Sequence, residues 1–140
     1  MTEKTTEELL NELAFISELD DYDLNINFKH SLSDYLNLLL EKYSLERKEV
    51  IKQAGIDMTF GYQIFTGKRK AARNKLLQLV FAMGIHFQEA QRVLYAGGVN
   101  MLYPRSRRDA ILIYCLKNRY NLQKTDEILY EYEEDPISSI

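Results

Sequence analysis

Six glycines, all between residues 55 and 98, punctuate a chain whose apolar residues otherwise repeat with helical spacing almost from end to end. Glycine tolerates the left-handed backbone that closes a helix. The middle of the chain is therefore expected to be short helices joined by sharp turns, with longer helices on the flanks. Strict apolar/polar alternation over four to eight residues, the mark of a half-buried strand, is hard to find. The expected fold class is all-α.

Capping residues place the helices. Thr5-Thr6-Glu7-Glu8 makes a capping box for a helix over 6–20, with Leu9, Leu10, Leu13 and Ile16 in a stripe. Asp20-Asp21-Tyr22-Asp23, followed by Asn25 and Asn27, favours a break. A second helix opens at Ser31 or Ser33 and carries Leu32, Tyr35, Leu36, Leu39 and Leu40 on one side. A third, 46–54, ends at Gly55. Asp57 caps a fourth, 58–65, which Gly67 closes. A basic link, Lys68-Arg69-Lys70-Ala71-Ala72-Arg73, leads into a fifth, 73–83, stopped by Gly84. His86-Phe87-Gln88-Glu89 opens a sixth, which runs to Ala96. Pro104 suits the first turn of a helix over 104–118, and Asn121 caps a last one, 122–133.

Residues 46–65 form a unit: two short helices separated by Ala54-Gly55-Ile56-Asp57, a glycine turn, an apolar plug and a helix cap. This is the build of a helix-turn-helix DNA reader, in which the second helix enters the major groove. Leu45-Glu46-Arg47-Lys48-Glu49-Val50-Ile51-Lys52-Gln53-Ala54-Gly55-Ile56-Asp57, followed by Tyr62-Gln63-Ile64-Phe65-Thr66-Gly67-Lys68-Arg69-Lys70, resembles the XRE / Cro-repressor-like helix-turn-helix family. Leu76-Leu77-Gln78-Leu79-Val80-Phe81-Ala82-Met83-Gly84 resembles that family's closing helix. The resemblance covers residues 33–96, under half of the chain. It implies a lambda-repressor-like helix-turn-helix bundle over 31–96. An acidic N-terminal helical extension (1–30) would precede it, and a C-terminal helical hairpin (97–140) would pack on it. It also implies a bacterial or phage-type transcriptional regulator.

Three positions depart from the family pattern. Glu46 replaces the usual Ser cap. Ile51 stands where a small Ala faces the partner helix, and Gly61 where a large apolar residue is usual. The last two are opposite volume changes that can offset one another, although Gly61 still costs about 1 kcal/mol of helix propensity relative to Ala.

Helix geometry assigns roles. Ile64 faces the core, with Gly61 beneath the partner helix. Thr59, Phe60, Tyr62, Gln63 and Thr66 remain on the outer face. Gln63 is the best candidate for pairing with an adenine edge, and Thr59 and Phe60 for a thymine methyl. Tyr62 is placed to reach a base or a phosphate; Phe60 reads equally as core. Met58 and Arg47 sit where the family often makes contacts. Lys68, Arg69, Lys70 and Arg73 are expected to grip phosphates, which positions a helix without specifying sequence. Arg47 and Thr66 join that phosphate set.

The net charge of −3, from 18 basic and 21 acidic side chains, argues at face value against a nucleic-acid partner. Partitioned, it says otherwise. Residues 1–30 carry two basic and eight acidic side chains, net −6, and residues 120–140 carry one and six, net −5. Residues 58–119 carry 11 basic and two acidic side chains, net +9, beginning with the proposed reading helix. Arg105, Arg107, Arg108, Lys117 and Arg119 either extend the phosphate contact or pair with the acidic ends, and pairing is the favoured reading.

One cysteine, Cys115, within Ile111-Leu112-Ile113-Tyr114-Cys115-Leu116, allows no intramolecular disulfide and is expected to be a buried hydrophobe. His86 is expected to be a cap or surface residue. No metal-ligand spacing, Gly-rich phosphate loop, Gly-x-Ser-x-Gly or His-Glu-x-x-His occurs. No enzyme, cofactor, metal or small-molecule ligand is therefore expected. Neither is a membrane partner, since no apolar run reaches the roughly 20 residues a span needs. The acidic start is not a secretory signal, and a cytoplasmic location is expected. The partner expected is double-stranded DNA, bound by a homodimer, because one short helix reads few bases. The stripes Leu9, Leu13, Ile16 and Ile111, Leu112, Leu116, Ile128, Leu129 are either dimer faces or core. A different class of function is a helical protein–protein interaction module on the same scaffold; the discriminating feature is whether Thr59, Tyr62 and Gln63 are exposed beside Lys68 and Arg69, since their burial would leave the DNA reading without its site. A third possibility has the acidic N-terminal arm covering the basic face.

Overall fold

A computed structural model describes residues 31–138, and every regular element among them is a helix. The helix expected over 6–20, with the acidic extension to which it belongs, lies outside the described residues. The seven helices are α1 (Leu32–Lys42), α2 (Arg47–Ala54), α3 (Met58–Phe65), α4 (Arg73–Met83), α5 (Phe87–Ala96), α6 (Arg107–Lys117) and α7 (Leu122–Glu131).

Their ends follow side-chain chemistry. Ser31, rather than Ser33, caps α1, its hydroxyl accepting from the Asp34 N–H at 3.2 Å. The Asp57 carboxylate accepts from the Phe60 N–H at 3.0 Å, and the Asn121 side chain from the Lys124 N–H at 2.8 Å. Each bond satisfies an amide that the first helical turn leaves free. Glu46 makes no such bond at the start of α2. Gly55 closes α2 at φ 72°, ψ 26°, a left-handed conformation that a Cβ disfavours.

The helix expected over 104–118 starts later, at Arg107. The Ser106 N–H donates to the Tyr103 carbonyl at 3.0 Å, closing a turn. The Ser106 hydroxyl then caps the helix by accepting from the Asp109 N–H at 3.3 Å. Pro104 sits in that turn, ahead of the helix rather than in its first coil. α7 likewise stops at Glu131, short of 133.

α4 is the centre of the packing, with Leu76, Leu77, Leu79, Val80, Phe81 and Met83 all buried. It lies against α2, α5 and α7; α3 lies on α1 and α2; α5 lies on α1; α6 pairs with α7 and touches α5. Leu112, Cys115, Leu116 and Leu129 are buried in the α6–α7 region, while Ile111 and Ile128 are half-buried. That stripe is therefore chiefly core. Cys115 is fully buried, and burial pushes its thiol pKa up. Between α1 and α5, the buried Glu89 carboxylate accepts from Lys42 Nζ at 2.5 Å, Tyr43 Oη at 2.6 Å and the His86 N–H at 2.9 Å. Among the described residues, no helix is long and apolar enough to cross a membrane.

Candidate nucleic-acid interface

α3 is held by α2 and α1. Gly61, Ile64 and Phe65 form its buried face. Gly61 lies directly against Ile51 of α2, so the large-for-small and small-for-large departures meet at one contact. The C-terminal end is fixed by α1: the Phe65 carbonyl accepts from Ser33 Oγ at 2.6 Å and from Asn37 Nδ2 at 2.9 Å. The end of α2 is fixed by α4, where the buried Gln78 donates through Nε2 to the Ala54 carbonyl at 2.8 Å. These bonds occupy carbonyls that a helix terminus leaves unpaired. The sequence reading missed Ser33, Asn37 and Gln78 as positioning residues. The signal was present: each is a polar residue set among leucines that repeat on a buried helix face.

With that face spent on packing, the opposite face is open. Met58, Thr59, Tyr62 and Thr66 are exposed, and Phe60 and Gln63 are half-buried. Phe65 is core, at 1% exposure. Arg47 of α2 lays its guanidinium over the Tyr62 ring, 4.3 Å from the centroid. This fixes two of the candidate residues against each other. Thr66 Oγ1 donates to the Gln63 carbonyl at 3.3 Å, at the helix end.

Beyond α3, Lys68, Arg69 and Lys70 are all exposed. Arg69 folds back onto the helix. Its Nε donates to Gln63 Oε1 at 2.9 Å, and its guanidinium carbon stands 4.8 Å above the Phe60 ring. Lys75 Nζ lies 5.9 Å from the same ring, a cation the sequence reading did not place here. The face thus joins a packed helix, a donor-rich side-chain cluster and a run of exposed cations.

Arg73 does not belong to that run. Its Nη1 and Nη2 donate to Asp109 at 3.0 and 2.7 Å. Its Nε donates to the Asn100 carbonyl at 2.8 Å, and Nη2 to the Met101 carbonyl at 3.0 Å. Four of its five N–H donors are used inside the chain, so the phosphate role expected of it is replaced by a tether between α4 and the start of α6. Three members of the second basic cluster also find partners within the chain. Arg107 pairs with Glu134 at 3.7 Å. Arg108 donates to the Asp135 and Pro136 carbonyls at 2.9 and 3.1 Å, and Arg119 lies 3.2 Å from His86 Nδ1.

A hollow of about 780 Å³ lies among α2, α4 and α7. Asp126, Glu127 and Glu131 line it against a single cation, Lys124, so its wall is net negative and disfavours phosphate. Among the described residues no cluster of His, Cys, Asp or Glu is arranged to hold a metal ion. No family model, curated protein or solved structure matches the chain.

Proposed function

We propose that the chain is a sequence-specific double-stranded DNA-binding protein, a transcriptional regulator that lays α3 in the major groove in a lambda-repressor-like helix-turn-helix arrangement. The observation that carries this reading is the juxtaposition on one surface of exposed Thr59 and Tyr62, half-buried Gln63 and exposed Lys68, Arg69 and Lys70. Thr59, Phe60, Tyr62 and Gln63 face base edges. Arg47, Thr66, Lys68 and Lys70 hold phosphates and set the register. The active form is a homodimer, whose two reading helices double the length of the site.

Binding of the 140-residue protein to duplex DNA, followed across a salt series, tests the reading. Affinity falls linearly on a logarithmic salt axis as counterions return to the backbone. Lys68→Ala flattens that slope by about one and weakens all sequences alike. A protein whose duplex binding does not depend on salt, or on Lys68 and Lys70, does not bind DNA through this face.

A further inference from the structure

The geometry points to Arg69 as a reader of guanine, set in position by Gln63 and Phe60; this deepens the DNA-binding proposal above and rests on it. Three observations converge. Arg69 Nε is committed to Gln63 Oε1 at 2.9 Å. The guanidinium carbon is parked 4.8 Å above the Phe60 ring. Arg69 is nonetheless exposed, and its two Nη groups make no hydrogen bond among the described residues.

A phosphate clamp needs only a flexible positive charge. Here the guanidinium is held through Nε by Gln63 and lies over the Phe60 ring, two contacts with residues of α3 that leave the Nη1 and Nη2 donors open. The major-groove edge of guanine offers two acceptors, N7 and O6, which match two parallel N–H donors. Adenine offers one acceptor and one donor. To read adenine, Gln63 would accept from N6 through the same Oε1 that already accepts from Arg69. Its remaining Nε2 group can only donate. With one lone pair of Oε1 already taken and both Nη groups open, the cluster presents mainly donors, and guanine is the base whose edge accepts at both positions. Gln63 acts here as a positioning residue for Arg69, in place of the direct adenine contact expected from sequence.

The test is a random-duplex selection with the full-length protein and three variants: Arg69→Lys, Gln63→Ala and Gln63→Glu. The unaltered protein enriches a motif with guanine at one position at least about tenfold over other bases, the discrimination of one bidentate pair. Arg69→Lys keeps the charge and the salt slope but loses the preference at that position alone. Gln63→Ala weakens the same position. Gln63→Glu retains an acceptor for Nε and so restores the guanine preference, although overall affinity falls because a negative charge is added. An enriched motif in which Arg69→Lys changes no position overturns the inference while leaving the DNA-binding reading intact. So does a Gln63-dependent position that reads adenine and is abolished by Gln63→Glu. Failure of the unaltered protein to enrich any duplex overturns both.

Discussion

Ile51 and Gly61 are a matched pair: a Cβ built on Gly61 would stand 2.5 Å from Cγ2 of Ile51 and 2.9 Å from its Cγ1. Ile51 is fully buried, and a β-branched side chain in a helix has one strongly preferred rotamer. It cannot swing aside. The close seating of α3 on α2 thus depends on the absence of a side chain at 61. This matters for function because the seating sets how far the outer face of α3 projects.

Reversal of sign follows for one substitution in two backgrounds. Gly61→Ala in the native chain destabilises by about 1–2 kcal/mol, as overpacking outweighs the gain in helix propensity. Ile51→Ala alone costs roughly 2–5 kcal/mol by opening a cavity. In that background Gly61→Ala becomes stabilising by about 1 kcal/mol, since the clash is gone and the propensity gain remains. Urea midpoints of the four proteins complete the cycle.

Arg73 separates stability from binding. Its carboxylate partner, Asp109, is 5% exposed and also accepts from the Tyr103 N–H at 2.9 Å. Arg73→Ala leaves that charge without its cation and costs about 3 kcal/mol. The loss is read as a lower unfolding midpoint. The salt slope of duplex binding stays unchanged, in contrast to Lys68→Ala.

The Phe65 carbonyl links α1 to the proposed reading face. Ser33→Ala with Asn37→Ala strips both of its side-chain donors and costs roughly 2 kcal/mol, at about 1 kcal/mol per bond. Base discrimination in the selected motif declines more than non-specific affinity, because α3 loses its fixed end while the cations remain.

The pH dependence of stability turns on Glu89 and Tyr43. Burial pushes the Glu89 pKa up, but donors from Lys42, Tyr43 and the His86 N–H outweigh it and hold the group below its ordinary 4.5. A lowered folded-state pKa contributes stability above the unfolded value, and that stability is lost as pH falls through the folded value. The acid limb below 4.5 is therefore flattened in Glu89→Gln. Tyr43 is pushed up to about 12, first by burial and then by its bond to Glu89. Its contribution is complete below 10 and disappears as pH rises from 10 to about 12. Tyr43→Phe flattens that alkaline limb. Unfolding midpoints across pH check both.

Much of this molecule is local in origin and was legible for that reason. α3 and α4 fall on the expected 58–65 and 73–83, because Asp57, Gly84 and the leucine spacing act within one turn of the residues they govern. The Ile51–Gly61 exchange was legible as a pair of opposite volume changes on facing helices. The role of Arg73 was not. Its partner lies 36 positions away in the chain, and nothing in Lys68–Arg73 distinguishes a basic residue that will find a buried carboxylate from one that will not. Pro104 misled because proline favours a first helical turn, whereas the hydrogen bonds of Ser106 and Asp109 place the start three residues on. Gln63 was recognised as chemistry-bearing, but its commitment to Arg69 depends on a side chain folding back over six residues, which periodicity does not encode.

The central claim is that the outer face of α3 and the cations after it form the DNA interface. Titration of a selected duplex into isotope-labelled protein, followed by backbone amide shifts, tests this most directly. The predicted result is that shifts concentrate at residues 47 and 58–70, with α6 and α7 unmoved. Shifts concentrated on the acidic hollow beside α7, or none at any amide of α3, would contradict it.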